Sequence, residues 1–306
     1  MRTTRMKYIK RQTTDNLNIN WKSFYRNVFA LVIPMALQNL INVGVTAADV
    51  IMLGKVGEKV LSGASLAGQI QFIMTLLFMG ITSGATVLTA QYWGKKDTRT
   101  IEKVLGMGLS AGIVTAVMFA AAALIIPDAL MHIYSSDPEV IAEGVKYLRI
   151  VGSSYLFMAV TQVYLNIMRS IERVLIATFV YSISLLVNIA VNALLIFGLM
   201  GFPVMGIRGA AVGTLIARIT EMVIVLLYAF MKNKIVRIRF RDLVRIDKVL
   251  FRDYMTYAMP VVLNEVMWGL GSSANTAIIG HLGSAAVAAN SVAQVARQLA
   301  TVVVFG

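Results

Sequence analysis

Gln38, Asn42, Thr46 and Asp49 follow one another at spacings of four, four and three within an otherwise apolar stretch. Those spacings put four polar side chains on one face of a helix. Asn188 and Asn192 share a face in the same way, one helical turn apart in a second apolar stretch. One carboxylate and two amides supply hard oxygen ligands and a single negative charge. Such a set suits Na⁺, or a carboxylic acid that exchanges its proton. Asp49, Glu221 and Glu265 are the acidic residues placed deep in apolar segments. An acid at the centre of a bilayer costs about 2.5–3.5 kcal/mol, so it is functional by default. Asn264 beside Glu265 raises the same question on a later segment, whereas Arg218 and Glu221, three apart, form a structural ion pair.

The elements that must position these groups are membrane helices. Of the 306 residues, 58% are hydrophobic and only 14% charged, against roughly 25% charged in a soluble domain. Mean hydropathy is +0.75. A bilayer core of about 30 Å takes about 20 apolar residues per helix. Spans are expected at 28–53, 66–93, 101–126, 143–168, 174–200, 206–231 and 251–279, with an eighth starting near 286. The absence of cysteine excludes disulfide scaffolds, thiol nucleophiles and Cys-ligated zinc, and two histidines leave little for other metal sites. The net charge of +13 is a topology signal and not a nucleic-acid signal. Lys and Arg collect in the N-terminal segment and in alternate loops (Lys95 to Lys103, Arg169 and Arg173, Lys232 to Arg252), while Lys55, Lys59 and Arg208 fall on the other side. The N-terminus and the 232–250 segment are therefore expected to be cytoplasmic. Gly108-Leu-Ser110-Ala-Gly112 and Gly269-Leu-Gly271-Ser-Ser-Ala274 match enzyme motifs but lie inside spans, without the strand those motifs need. The pairs Gly80/Gly84, Gly108/Gly112 and Gly209/Gly213 mark close helix contacts.

The chain also repeats itself. A constant offset carries Pro34 onto Pro260, Leu37 onto Leu263, Ala48 onto Ala274, Gly54 and Gly57 onto Gly280 and Gly283, and Ser65 onto Ser291. Six spans separate the copies, so they share one orientation, as in a two-lobed transporter. Completing the second copy predicts about twelve spans and roughly 450–460 residues. The sequence is on that expectation a C-terminally truncated piece. Its expected organisation is a basic segment 1–27, a six-helix N-lobe 28–231, a linker 232–250 and the start of a C-lobe 251–306.

Several stretches resemble the bacterial multidrug and toxic compound extrusion (MATE) transporters. They are Pro34-Met-Ala-Leu-Gln38, Ala48-Asp49-Val-Ile-Met-Leu-Gly54-Lys-Val-Gly57, Asn188 to Gly198, Gly201 to Thr214, and Pro260 to Trp268. The resemblance covers about residues 25–306. It implies an all-α, polytopic integral membrane bundle of two lobes around a central cavity, here a complete six-helix N-lobe with the start of the C-lobe. It implies antiport of organic cations for Na⁺ or H⁺ by alternating access, with no other cofactor and no enzymatic activity. The implied setting is the inner membrane, and the implied full-length form a monomer with the lipid bilayer and a small organic cation as partners, and no nucleic acid. Asp49 matches the family's essential carboxylate, and Asn188 an asparagine of its N-lobe cation site. Asn192 falls where many members carry Asp, and Thr214 belongs to the same site. A Na⁺ ion would sit at Asp49, Asn188 and Asn192. Glu265, Asn264, Gln38, Asn42 and Thr46 are expected to face the substrate cavity. The rival readings are a lipid-linked glycan flippase, for which Arg218 and Arg297 are the only deep basic residues, and an inactive scaffold.

Overall fold

The computed structural model describes residues 21–233, 235–244 and 247–301. In lipid every backbone N–H and C=O must be satisfied within its own segment or in a closed barrel, and the described residues use helices throughout. They are α1 (Trp21–Val56), α2 (Glu58–Gly94), α3 (Thr98–Ile125), the short α4 (Pro127–His132) and α5 (Pro138–Val151). A 3-10 turn at Gly152–Ser154 runs α5 into α6 (Tyr155–Ser170), so the two make one crossing. Then come α7 (Leu175–Phe197), α8 (Ile207–Leu227) with a π-helical end at Tyr228–Lys232, α9 (Phe240–Val244), α10 (Lys248–His281) and α11 (Ser284–Thr301).

Six helices among the described residues are long and apolar enough to cross a membrane. α10, which contains the expected seventh span, has 34 residues but is not one of the six. Asn264, Glu265, Ser272, Ser273, Asn275 and Thr276 interrupt its apolar run. The helices also outrun the apolar stretches. Residues 54–65, expected as a loop, are helical except for Gly57. α1 starts at Trp21, and α10 starts at Lys248 inside the expected linker. Hydropathy marks only the part of a helix in hydrocarbon, whereas 36 residues of α1 reach about 54 Å. Trp21, Phe24, Tyr25 and Phe29 pack against one another at its start, and aromatic rings of this kind gather at a membrane interface.

Small residues set the packing. Gly80 and Gly84 face Val262 and Ala258 of α10, where added Cβ atoms would come within 2.5 and 2.6 Å of side-chain carbons. Gly108 and Gly112 face Val163 of α6, and Gly209 faces the Leu195 backbone of α7. All three glycine pairs singled out in the sequence thus lie at helix contacts.

The ends of the bundle are distinguished by their ion pairs. At one end Arg99 grips Asp242 of α9 through two hydrogen bonds, at 2.5 and 2.7 Å. Glu102 receives Arg99 and Arg239, each at 2.9 Å, and the Arg237 backbone N–H at 3.1 Å. Lys103 reaches Asp247 at 3.3 Å. The described segment 235–244 therefore lies docked on the start of α3. At the other end Lys59 pairs with Glu139 at 2.6 Å, and Ser284 donates to the Glu58 carboxylate. Close by, Ser291 Oγ donates to Ser65 Oγ at 2.8 Å, and these partners are 226 residues apart. That is also the separation of Glu58 from Ser284, and the offset that superposes the sequence repeats. Pro34 and Pro260, related by the same offset, both lie inside helices, α1 and α10.

Candidate functional site

Asp49 sits two turns before the end of α1, on the side that packs against α7. Its partner there is Asn192, whose Nδ2 donates to Asp49 Oδ1 at 2.6 Å and to Asn188 Oδ1 at 3.2 Å. Asn188 and Asn192 are both buried. α7 forms because its 23 residues are almost wholly apolar, and the period of 3.6 then stacks the two amides one turn apart. Both amide hydrogens of Asn192 are thereby spent on oxygen acceptors. Its Oδ1 is buried and has no partner among the described residues. This oxygen is turned toward Gly213 of α8, where a Cβ would overlap it. Gly213 is therefore what lets α8 close over the amide.

α8 adds three more groups. Thr214 stands beside Tyr147 of α5. Arg218 Nη1 donates to both carboxylate oxygens of Glu221 at 3.0 Å, and Ser184 Oγ of α7 donates to Glu221 at 2.6 Å. Arg218 and Tyr147 both lie within electrostatic reach of Asp49. Four helices thus converge on one carboxylate, with a second, fully paired acid behind it.

The other residues picked out by sequence lie elsewhere. Gln38 is not in a cavity wall. It is buried at the α6–α7 turn, where its Nε2 donates to Thr178 Oγ1 at 2.9 Å and to Val174 O at 3.2 Å. Its Oε1 accepts from Arg169 at 2.9 Å. Both ends of the amide serve to clasp α1 to that turn. Asn42 and Thr46 are exposed on α1, and Thr46 Oγ1 donates to the Asn42 carbonyl at 3.2 Å. Asn264 is exposed and Glu265 half-buried on α10, which packs along α2 and not against the α7–α8 pair. The structure does not bring these two to Asp49. Sequence reasoning missed Tyr147, Ser184 and Gly213 as parts of the site. Only Gly213 carried a signal, as half of a small-residue pair.

This arrangement offers one carboxylate, steadied by one amide donor, to a proton or a small cation. For Na⁺ the amides must present oxygen. Asn188 Oδ1 already accepts from Asn192, and Asn192 Oδ1 faces Gly213. Among the described residues no group of three His, Cys, Asp or Glu side chains is placed to hold a metal ion.

Comparison with known proteins agrees with this architecture. The chain is 24% identical over 273 residues to the "Probable multidrug resistance protein YoeA" of Bacillus subtilis, covering 88% of this chain and 59% of that one. It is 27% identical over 196 residues to the "Probable multidrug resistance protein NorM" of Rhizobium meliloti, covering 64% and 42%. The chain spans about three-fifths or less of the length of these relatives. Among solved structures, one of the "MATE multidrug transporter DinF-BH" superposes with a TM-score of 0.82 at 20% identity, covering 90% of this chain and 61% of that one. An "inward-facing conformation of a multidrug resistance MATE family transporter" gives 0.75 at 20% identity, covering 90% and 62%. The model of the MatE family matches residues 34–194, from the proline of α1 to the paired asparagines of α7. That match covers more than half of the chain, and this multi-pass helical membrane protein belongs to the MatE family.

Proposed function

We propose that the protein works as a secondary antiporter that exports small organic cations in exchange for H⁺ or Na⁺, and that it is a transporter and not an enzyme. The observation that carries this reading is the single carboxylate of Asp49, held by Asn192, which Asn188 in turn holds, among four packed helices. Relatives named as multidrug resistance proteins support the substrate class.

The mechanism is linkage between two ligands that compete for one charge. Asp49 ionised attracts a cation. Asp49 protonated, or holding Na⁺, has lost that attraction, so loading the coupling ion releases the substrate. Asn192 turns N–H and not C=O toward the carboxylate, which steadies its ionised form. A Na⁺ site would require that amide to rotate. Thr214 and Tyr147 shape the same wall, while Asn42 and Thr46 line the open face of α1. Glu265 and Asn264 are assigned to the second lobe's part of the cavity. The protein acts in the inner membrane as a monomer, with its N-terminus and linker in the cytoplasm, the side to which the clustered Lys and Arg point. A flippase for pyrophosphate-linked glycans fits less well, since Arg218 is already paired with Glu221.

The test is gradient-driven dye efflux in inverted vesicles. Asp49→Asn should abolish both efflux and the proton or Na⁺ flux coupled to it, at unchanged protein level. Wild-type efflux by that variant refutes the assignment. Imposing a pH gradient and a Na⁺ gradient separately identifies the coupling ion.

A further inference from the structure

A groove opens on the exposed side of the bundle between the start of α7 and the end of α8. Its volume is about 670 Å³. The walls are apolar: Leu175 and Phe179 on α7 face Leu227 and Met231 on α8 and its π-helical end. All four are exposed. In a bilayer such a channel is filled by hydrocarbon, because neither water nor a polar solute gains anything there. The mouth has a different chemistry. Arg173 and Lys232 stand on its two sides, with no hydrogen bond or ion pair between either side chain and another described residue. Between them lies the N-terminus of α7, whose 23-residue helix starts without a side-chain cap. Uncapped N–H groups and the positive end of the helix dipole favour an anion, phosphate above all.

Two backbone features hold this shape open. Glu172 takes a left-handed φ of 65°, unusual for a residue with a side chain, and so turns the chain sharply from α6 into α7. The π-helical turn at Tyr228–Lys232 widens the end of α8, as such turns do at binding sites. Glu172 also lines the mouth and subtracts one charge.

We propose that this groove is a binding site for one anionic phospholipid of the leaflet on the linker side. The phosphate lies over the α7 N-terminus between Arg173 and Lys232, and an acyl chain lies along Phe179 and Leu227. Naming that leaflet as the inner one rests on the orientation proposed above; the binding itself does not. The depth is consistent, since Lys232 begins the linker and Arg173 lies in the turn at the same end as Gln38.

The experiment is native mass spectrometry of the intact protein, released from mixed micelles holding equal amounts of dioleoyl phosphatidylglycerol and dioleoyl phosphatidylcholine. One basic residue near a headgroup is worth about fivefold, and Glu172 offsets one of the two. The wild-type protein should therefore retain one phosphatidylglycerol with about fivefold preference. Arg173→Gln with Lys232→Gln leaves Glu172 alone and should turn the preference about fivefold toward phosphatidylcholine, and Glu172→Gln should raise the wild-type preference about fivefold. Leu227→Trp, which fills the groove and leaves every charge in place, should lower retention of both lipids. Lys95→Gln with Lys96→Gln removes two exposed charges at the same end but outside the groove, and should change nothing. Equal retention of the two lipids by the wild type overturns the proposal. So does an equal loss from the Lys95/Lys96 pair, full retention in Leu227→Trp, or displacement of the lipid by excess inorganic phosphate.

Discussion

Gly213→Ala is the sharpest probe of the Asp49 site, because it adds a single methyl group and removes no polar atom. A Cβ at position 213 would overlap Asn192 Oδ1 and come within 3.0 Å of Asn192 Cγ. The amide must swing away, and its bonds to Asp49 and Asn188 go with it. Overpacking of this kind costs about 1–3 kcal/mol. Losing the amide donor to the Asp49 carboxylate adds about 1.5–3 kcal/mol, so Gly213→Ala should destabilise by about 3–5 kcal/mol. Asn192→Ala alone should cost about 2–3 kcal/mol, mostly from the donor lost to Asp49. In the double variant the overlapping atoms are gone. The nearest remaining neighbour, the Asn192 backbone nitrogen, lies at 3.4 Å, an ordinary contact. The double variant should therefore be about as stable as Asn192→Ala, so the coupling in the double-mutant cycle equals the whole cost of Gly213→Ala, about 3–5 kcal/mol. Reversible unfolding in mixed SDS micelles measures all three. If the two costs simply add, the methyl group does not meet the amide, and the account of how α8 closes over the site is wrong.

Other expectations concern the ends of the bundle. Asp97 caps α3 through Thr100, with its carboxylate held below the ordinary range by the Thr100 hydroxyl at 2.6 Å and then by the Thr100 N–H at 3.0 Å. Because its folded pKa lies below the unfolded value, its contribution is present above about pH 4 and fades as pH falls further. Asp97→Ala should cost about 1 kcal/mol at pH 7 and progressively less as the pH is lowered below about 4, as read from paired melting curves. Arg99→Gln leaves Asp242, buried at 5% exposure, without its bidentate partner. It should raise hydrogen exchange across 235–244 by at least tenfold while leaving α7 and α8 unchanged, and unchanged exchange in the linker would show that it is held by other contacts. The chain has no cysteine, so Ser65→Cys with Ser291→Cys can be oxidised cleanly. It should cross-link α2 to α11, detected as a single band after cleavage in the linker, whereas Ser65→Cys with Thr256→Cys should give no cross-link.

The grouping of Asp49, Asn188 and Asn192 was legible in the sequence because both helices are long and unbroken. In such helices spacing alone decides which side chains share a face. Gln38 shows the limit of that logic. It lies on the same face as Asp49 but eleven residues earlier, about 16 Å down the helix, where it meets the α6–α7 turn. Periodicity gives direction around a helix, not depth along it or the partner opposite. Tyr147 and Ser184 were invisible for a related reason. Each is one of several like residues in an apolar span, and only the approach of another helix makes it polar machinery. The helix ends were misplaced because hydropathy reports hydrocarbon and not hydrogen bonding.

The repeat was the most informative long-range signal, and its consequence is geometric. In a two-fold arrangement a residue can touch its own repeat-mate only at the axis. Ser65 with Ser291, and Glu58 with Ser284, do so. The axis therefore runs between α2 and α11, near the end opposite the linker. A two-fold operation that exchanges α2 with α11 also exchanges α10 with α1, so the packing of α10 on α2 must be matched by packing of α11 on α1. Both contacts are present. The sequence offset, two hydrogen bonds and two helix pairings thus describe one symmetry element. Asp49, two turns from the end of α1, lies toward the end that these bonds tie shut. On the proposed antiport, a cycle that opens this end must part Ser65 from Ser291, and a covalent bridge there would hold Asp49 closed to that side.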